Sequence, residues 1–249
     1  MIASEELYLD LIARTLTGML YEDPSVGPWP ERNFDTDLRE HGRDWPSRAQ
    51  TMVGMKRLAN VRLCAESVIR DEVAGDFIET GVWRGGAAIF MRAILKAHRI
   101  TDRLVWLADS FQGLPPPNPE AYPADAGDIN HTMDALAVSL EEVKSNFSRY
   151  GLLDEQVRFL KGWFRDTLPA APVDRLALLR LDGDMYESTW DALVNLYPKL
   201  SPGGYAIVDD YGAVPACRQA VDDFRRAQNV TDKLREIDWT GVYWRRSSP

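Results

Sequence analysis

The chain has 249 residues, of which 45% are hydrophobic and 27% are charged, a composition that suits one globular α/β domain. Its formal net charge of −9 provides no basic surface for a nucleic acid, so we expect no nucleic-acid partner. No stretch approaches the ~18 consecutive apolar residues of a membrane-spanning helix, so we expect no membrane partner.

Residues 1–73 are predicted to form a helical cap on the rest of the protein. The stretches 5–20 and 49–72 carry apolar residues at helical spacing, and a segment rich in proline and glycine, 22–35, separates them. The acidic start of the chain lacks the basic and apolar regions of a secretory signal, and the two cysteines have no metal-ligand spacing. We therefore expect a cytoplasmic protein.

Residues 74–249 are predicted to form the core domain, in which strands alternate with helices. The strand candidates are 76–83, 104–111, 157–164, 176–184, 205–211, 233–239 and 241–247. The helix candidates are 86–98, 139–151, 188–200 and 215–228. This alternation predicts an α/β fold with a mostly parallel, doubly wound sheet, and the continuously apolar strands indicate helices on both faces.

One long segment, 113–134, interrupts this alternation. It contains five prolines and shows almost no periodicity. Loops of this length in a compact domain are usually functional or disordered. Because it directly follows a strand end, we favour a lid over a site, with a disordered insertion as the alternative.

Ligands of open α/β sheets bind at the carboxyl ends of the strands. The first core strand ends in "ETGVWRGGAAIF", where Gly81, Gly85 and Gly86 do not match the dinucleotide-binding spacing. The acidic Glu79 suits a cationic or hydroxyl-bearing ligand such as S-adenosylmethionine. The alternative is a plain strand-to-helix turn.

The next two strand ends also suit a nucleoside-bearing cofactor. Asp109 can accept hydrogen bonds from both hydroxyls of a ribose, or it can cap the following segment. Gly162 permits close backbone approach. Trp163 or Phe164 can stack on an adenine ring or simply belong to the core.

Four carboxylates follow the fourth and fifth strands: Asp182 and Asp184 in "LRLDGD", and Asp209 and Asp210 in "AIVDDY". We expect these two strands to be neighbours in the sheet, where the four groups repel one another unless a cation intervenes. Oxygen-only ligands favour Mg²⁺ or Ca²⁺. Two side chains of an extended Asp-x-Asp point to opposite sides, so one can hold metal while the other acts as a base. The alternative is that the four residues are helix N-caps.

Together these motifs resemble the TylF/MycF family of sugar O-methyltransferases. The stretches that carry the resemblance are "TMVGMKRL", "ETGVWRGGA", "ADSFQG", "NFSRYGLLD", "VRFLKGWFRDTLP", "LRLDGDMYEST", "LYPKLSPGGYAIVDDY" and "GVYWRR". The resemblance implies a Rossmann-like class I methyltransferase fold of seven strands with an antiparallel last strand. It also implies methyl transfer from S-adenosylmethionine, with Mg²⁺, to a deoxysugar hydroxyl of a glycosylated small molecule, and a homodimer or higher homo-oligomer.

The resemblance also assigns roles to particular residues. Asp184 becomes the general base, and the metal ligands become Asp182, Asp209 and Asp210. The implied cofactor contacts are Thr51, Met52, Glu79, Thr80, Gly81, Asp109, Ser110, Ser139, Gly162 and Trp163.

Three other functions share parts of this pattern. A nicotinamide-dependent oxidoreductase shares the fold and Asp109, a catechol-type O-methyltransferase shares the metal ligands, and a non-catalytic binding module shares only the fold. The sequence does not reveal which sugar, which hydroxyl or which aglycone is used. Glu31, Asp37 and His131 are candidates for contact with the acceptor.

Overall fold

The computed structural model describes residues 4–26 and 33–247. The N-terminal region contains helices α1 (Ser4–Leu16), α2 (Thr36–Glu40) and α3 (Gly54–Arg70), together with a small antiparallel pair, β1 (Ser25–Val26) and β2 (Trp45–Pro46). The side chain of Asp35 caps α2 by accepting a hydrogen bond from the Leu38 amide. The predicted helix 49–72 begins only at Gly54.

The core is a seven-stranded sheet. Its strands are β3 (Asp76–Thr80), β4 (Val105–Asp109), β5 (Val157–Lys161), β6 (Leu176–Leu181), β7 (Leu200–Val208), β8 (Arg235–Glu236) and β9 (Val242–Arg245). The spatial order is β5-β4-β3-β6-β7-β9-β8, and β9 runs antiparallel to both of its neighbours. The predicted mostly parallel sheet with an antiparallel last strand is therefore confirmed.

The helices of the core follow the strands along the chain: α4 (Gly86–Ala97), α5 (Leu140–Arg149), α6 (Phe164–Thr167), α7 (Tyr186–Leu196) and α8 (Pro215–Ala227). Apolar side chains fill both faces of the sheet because neighbouring residues of a strand point to opposite sides. Phe77 packs in the cluster that contains α1, α3 and α4, whereas Ile78 packs in the cluster that contains α7 and α8.

The N-terminal helices share a core with the sheet. Leu9 and Leu16 of α1 and Leu58 of α3 belong to the same apolar cluster as Phe77. The predicted division at residue 73 falls between α3 and β3 and stays a prediction. Within the described ranges, no helix combines the length and the apolar character needed to cross a membrane.

Several element boundaries differ from the sequence prediction. Strand β7 begins at Leu200, before the Pro-Gly-Gly stretch that the prediction placed outside it. Predicted strand 233–239 is reduced to the two residues of β8. The predicted helix 188–200 begins two residues earlier, at Tyr186, and ends at Leu196.

Candidate active site

One cavity lies at the carboxyl ends of β3, β4, β5, β6 and β7. Twelve of the predicted site residues line it: Thr51, Met52, Glu79, Gly81, Asp109, Ser110, Gly162, Trp163, Asp182, Asp184, Asp209 and Asp210. Thr80 is fully buried in β3, and its hydroxyl donates to the backbone carbonyl of Arg180. Ser139 is exposed and caps α5 by accepting from the Glu142 amide. The structure does not place these two residues on the cavity wall, and their cofactor role stays a prediction.

The glycine turn after β3 brings two strand ends together. Gly81 has a φ of +81°, and a Cβ placed on it would lie 1.8 Å from the carbonyl oxygen of Asp182. Gly86 is also confined, since a Cβ there would lie 2.5 Å from the carbonyl oxygen of Gln50. Gly81 and Gly86 therefore let neighbouring backbone segments approach each other closely. Gly81 also lines the cavity.

The segment that carries Thr51 and Met52 is hydrogen-bonded to the end of α1 and to the start of α4. The Thr51 amide donates to the carbonyl oxygen of Leu16 at the end of α1, and the Gly86 amide donates to the carbonyl oxygen of Gln50. The N-terminal region thus supplies part of the cavity wall.

Asp109 is held by the two turns that flank it. Its carboxylate accepts from the backbone amides of Val82, at 2.7 Å, and Phe111, at 2.6 Å. Burial raises the pKa of this carboxyl above its usual range, and the backbone hydrogen bonds oppose that change. Asp109 therefore orders the turns and also faces the cavity, where a ribose hydroxyl can reach it.

Three non-glycine residues at strand ends of the cavity have left-handed backbone conformations. Trp83 follows β3 with a φ of +48°, Phe111 follows β4 with +56°, and Asp184 follows β6 with +57°. Such conformations are unfavourable for residues other than glycine and cluster at functional sites. The expectation that Asp182-Gly183-Asp184 is extended is therefore wrong, because the chain turns sharply here to enter α7.

A buried guanidinium group lies among the carboxylates. Arg180, on β6, is 0% exposed. It donates to Glu79 at 2.6 Å, to Asp182 at 2.8 Å and to Asp209. Sequence analysis missed Arg180, although a charged residue in an otherwise apolar strand is itself a signal, since a buried charge requires a partner.

A second guanidinium group reaches the site from the N-terminal region. Arg57 of α3 pairs with Asp209 and, at 3.2 Å, with Asp238. Both oxygens of Asp209 thus accept from arginines, Oδ1 from Arg180 and Oδ2 from Arg57. This link ties α3 to the sheet edge, and sequence analysis missed it too.

The three predicted metal ligands converge. Asp182, Asp209 and Asp210 each place one carboxylate oxygen within 4.8 Å of the others. The Oδ2 atom of Asp210 is buried and has no hydrogen-bond partner among the described residues. Each carboxylate oxygen has two lone pairs, so the arginines at Asp209 leave it able to coordinate an ion. The residues fit a hard divalent cation such as Mg²⁺.

Negative charge exceeds positive charge in this cluster. Five carboxyl groups face two guanidinium groups, and the carboxyl groups are Glu79, Asp182, Asp184, Asp209 and Asp210. Burial, followed by repulsion from Asp184, raises the pKa of Asp210 well above its usual range. Burial likewise raises the pKa of Glu79 to about 8. A bound cation would offset both effects.

Asp184 has its pKa raised to about 7, by burial first and then by the negative charges of Asp182, Asp128 and Asp209. It does not cap a helix. Helix α7 has Met185 at its N-cap position and α8 has Val214, so the interpretation of the acidic residues as N-caps is wrong for Asp184 and for Asp210.

The segment 113–134 lies against the cavity. Gly113, Leu114, Pro115 and Asn130 line it, and short 3-10 turns occur at Pro123–Asp125 and Asn130–Thr132. This placement supports the interpretation as a lid rather than a disordered insertion.

The structure does not bring the two described acceptor candidates, Asp37 and His131, to the cavity wall. Asp37 is exposed on α2, and His131 is half-buried in the long segment but is not a lining residue. Glu31 lies outside the described residues. Sequence analysis missed two acidic lining residues of α7, Glu187 and Asp191.

Comparison with known proteins decides the family. The model of the macrocin O-methyltransferase (TylF) family matches residues 5–246. The chain belongs to the TylF family. The predicted resemblance is confirmed, and the protein is an O-methyltransferase with the class I methyltransferase fold, which implies S-adenosylmethionine as methyl donor. The interpretations as a nicotinamide-dependent oxidoreductase and as a non-catalytic module are therefore wrong.

Individual relatives agree over the whole chain. Demethyldecarbamoylnovobiocin O-methyltransferase of Streptomyces niveus is 54% identical, over 98% of this chain and 95% of that protein. Mycinamicin III 3''-O-methyltransferase of Micromonospora griseorubida is also 54% identical, over 98% of this chain and 97% of that protein. The solved structure of the O-methyltransferase NovP superposes with a TM-score of 0.95 at 55% identity, covering 98% of this chain and 100% of that one.

Proposed function

We propose that this TylF-family enzyme transfers a methyl group from S-adenosylmethionine to a hydroxyl of a deoxysugar on an antibiotic or another secondary metabolite. The observation that carries the proposal is the convergence of Asp182, Asp209 and Asp210 beside Asp184, in a cavity that also holds the cofactor-side residues. The activities of the two relatives support a glycosylated small-molecule acceptor, since one methylates demethyldecarbamoylnovobiocin and the other methylates mycinamicin III at the 3'' position.

The methyl donor would lie along the ends of β3, β4 and β5. Glu79 has one buried carboxylate oxygen, Oε2, with no hydrogen-bond partner among the described residues, and it can bind a cationic group. Asp109 faces the cavity with a buried carboxyl group that can accept from a ribose hydroxyl. The rings of Trp163 and Phe164 line the cavity and can flank an adenine. Each group thus meets the part of the donor that its chemistry suits.

Asp182, Asp209 and Asp210 would hold Mg²⁺. A bound Mg²⁺ supplies positive charge that makes an adjacent sugar hydroxyl more acidic. Arg57 and Arg180 orient Asp209 by holding both of its oxygens, and Arg180 also fixes Asp182. Two of the three ligands are thereby preorganised before any ion arrives.

Asp184 would act as the general base that accepts the proton lost by the acceptor hydroxyl. Burial is the first cause of the raised pKa of Asp184, and it persists when a cation neutralises Asp182 and Asp209, so the pKa of this carboxyl moves toward the working pH, where a base is most effective. The left-handed turn directs Asp184 away from strand geometry and keeps it on the cavity wall beside the metal ligands. Catalysis would rest mainly on positioning and on neutralised charge.

The variant Asp184→Asn tests the role of this residue. Because the amide keeps the shape of the side chain but cannot accept the proton, we expect an unchanged dissociation constant for S-adenosylmethionine by calorimetry. We also expect a fall in kcat of about 10² to 10⁴, the usual contribution of a general base. Near-normal turnover in this variant would refute the assignment.

We also infer a homo-oligomer. Leu7 and Leu11 lie one turn apart on α1 and are 56% and 51% exposed, and Leu63 of α3 is 53% exposed. Such apolar residues on the outside of the N-terminal helices suit contact with a second copy. Light scattering of the pure protein tests this inference, and a monomer at high micromolar concentration would contradict it.

A further inference from the structure

A buried carboxylate of the long segment binds the first turn of α7. Asp125 is only 2% exposed, although it belongs to an irregular loop. Its Oδ1 atom accepts from the Tyr186 amide at 2.6 Å, and its Oδ2 atom accepts from the Glu187 amide at 3.0 Å. These partners lie 61 and 62 residues away in the chain, so the contact is a tertiary one.

Helix α7 depends on this contact for its N-terminal cap. The first four amides of a helix have no acceptor within the helix, and a nearby polar side chain usually supplies one. The N-cap residue of α7, Met185, makes no such hydrogen bond. Asp125 fills that position, and its negative charge also suits the positive end of the helix dipole.

The capped turn is continuous with the residues proposed to carry the chemistry. Strand β6 ends at Leu181, and α7 begins at Tyr186. Between them the Met185 amide donates to the carbonyl oxygen of Gly183 at 2.6 Å, and Asp184 has its left-handed conformation. The position of the first turn of α7 therefore sets the position of Asp184.

The same segment closes one side of the cavity. Leu114 and Asn130 line the cavity on either side of Asp125 in the chain. The ring of Tyr122 lies 5.9 Å from the ring of Tyr186, centroid to centroid. If the segment lifts to admit or release ligands, the two hydrogen bonds of Asp125 must break, and α7 loses its cap at that moment.

We propose that Asp125 is a positioning residue that couples closure of segment 113–134 to the orientation of the Asp182–Asp184 turn. When the segment is closed, the cap orders α7 and fixes Asp184 on the cavity wall. When the segment is open, the turn is released. This inference rests on the proposed role of Asp184 as the base.

Three variants test the coupling. Asp125→Ala removes both hydrogen bonds, whereas Asp125→Asn keeps one oxygen acceptor and loses the charge. Asp134→Ala is the matched control, since Asp134 is an exposed acidic residue at the end of the same segment. For each protein, kcat, KM, the S-adenosylmethionine dissociation constant and hydrogen exchange of peptides covering 113–134, 182–189 and the sheet are measured.

For Asp125→Ala we expect faster exchange in 113–134 and in 182–189 together, with exchange in the sheet unchanged. We expect kcat to fall by about tenfold or more, which corresponds to a loss of at least ~1.4 kcal/mol of transition-state stabilisation. Affinity for S-adenosylmethionine should stay within about twofold, because the cofactor-side residues lie on other strands. Asp125→Asn should recover part of kcat, and the control should match wild type.

Two results would overturn the coupling. One is faster exchange in only one of the two regions, since closure and the turn would then be independent. The other is loosening of both regions with kcat retained, since the cap would then be structural only. If the wild-type protein methylates no acceptor, the proposed function fails, and the exchange measurement still decides whether Asp125 joins the two regions.

Discussion

Replacing Arg180 with methionine probes how the buried charges of the site are held. The guanidinium is fully buried and donates to Glu79, Asp182 and Asp209. Methionine can replace the aliphatic part of the arginine side chain but carries no charge, so the three carboxyl groups would lose a shared cation. Removing one partner from a buried ion pair typically costs about 3–5 kcal/mol, because the remaining charge is left uncompensated.

The loss of stability in Arg180→Met should appear as a fall in Tm, and the size of that fall should depend on pH. In a domain of this size, 1 kcal/mol shifts Tm by roughly 2–4 °C, so we expect Tm to fall by about 6–20 °C. Burial already raises the pKa of Glu79 and of Asp182, and the Arg180 charge opposes that rise, so without Arg180 both pKa values move further above those in the unfolded chain. A raised folded-state pKa means that stability is retained at low pH and lost as the pH rises through it. The fall in Tm should therefore be smaller at pH 6 than at pH 9.

Differential scanning fluorimetry at both pH values measures this effect. Arg158→Met is the matched control, because Arg158 lies on β5 of the same sheet but is exposed. Mg²⁺ should restore part of the lost stability if it binds the acidic cluster. If Arg180→Met does not fold, Arg180→Lys, which keeps the charge and loses the fork, should show a smaller fall of the same pH dependence. A Tm within about 2 °C of wild type at pH 9 would refute the reasoning.

Three further changes follow from the same structure. Gly81→Ala should lower both stability and turnover, because the new Cβ would lie 1.8 Å from a backbone oxygen. Gly151→Ala is the control: Gly151 also has a positive φ, but a Cβ there would have nothing within 4 Å, so this change should cost only about 1 kcal/mol. Equal Tm values for the two variants would contradict this. Asp23→Ala should lower Tm, because this buried carboxylate accepts from the Ser47 hydroxyl and two backbone amides. The pKa of Asp23 is lowered in the folded protein, so this carboxylate stabilises the fold at neutral pH and stops doing so on acidification. The difference in Tm between Asp23→Ala and wild type should therefore shrink below about pH 4. A difference that stays constant with pH would contradict this.

The positions of the strand-end residues could be predicted from the sequence. Asp109, Asp182 and Asp209 each stand at the end of an apolar run, and a helical stretch precedes the next strand in each case, so a parallel sheet brings them to one edge. The pairing of β6 with β7 confirms the expected neighbourhood of the two acidic motifs. The alternation of strands and helices in the sequence is enough for this prediction, because the order and direction of the strands determine which strand-end residues meet.

The ion pairs of the site could not be predicted in the same way. Arg180 lies 101 residues from Glu79 in the chain, and Arg57 lies 152 residues from Asp209. No periodicity reports which charges meet over such separations. Only the presence of Arg180 in an apolar strand indicated that a buried partner must exist.

The conformation of the Asp182-Gly183-Asp184 turn was also beyond local reasoning. Glycine would be the expected left-handed residue, yet Asp184 has a φ of +57°. Gly183 is required for another reason, since a Cβ there would lie 3.0 Å from the Cβ of Ser188 and 3.3 Å from the Phe164 ring. Packing of α7 and α6 against the turn therefore leaves little room for a side chain at position 183, and at position 184 aspartate tolerates the left-handed conformation better than most residues.

A methyl-transfer assay with S-adenosylmethionine and a panel of deoxysugar glycosides, run with Mg²⁺ and after chelation with EDTA, tests the central claim most directly. The account predicts transfer to a glycoside that carries vicinal hydroxyls, loss of transfer after chelation and recovery when Mg²⁺ is restored. Transfer that persists without divalent cation would contradict the metal role of Asp182, Asp209 and Asp210. Transfer to catechols, with none to any glycoside, would contradict the sugar acceptor.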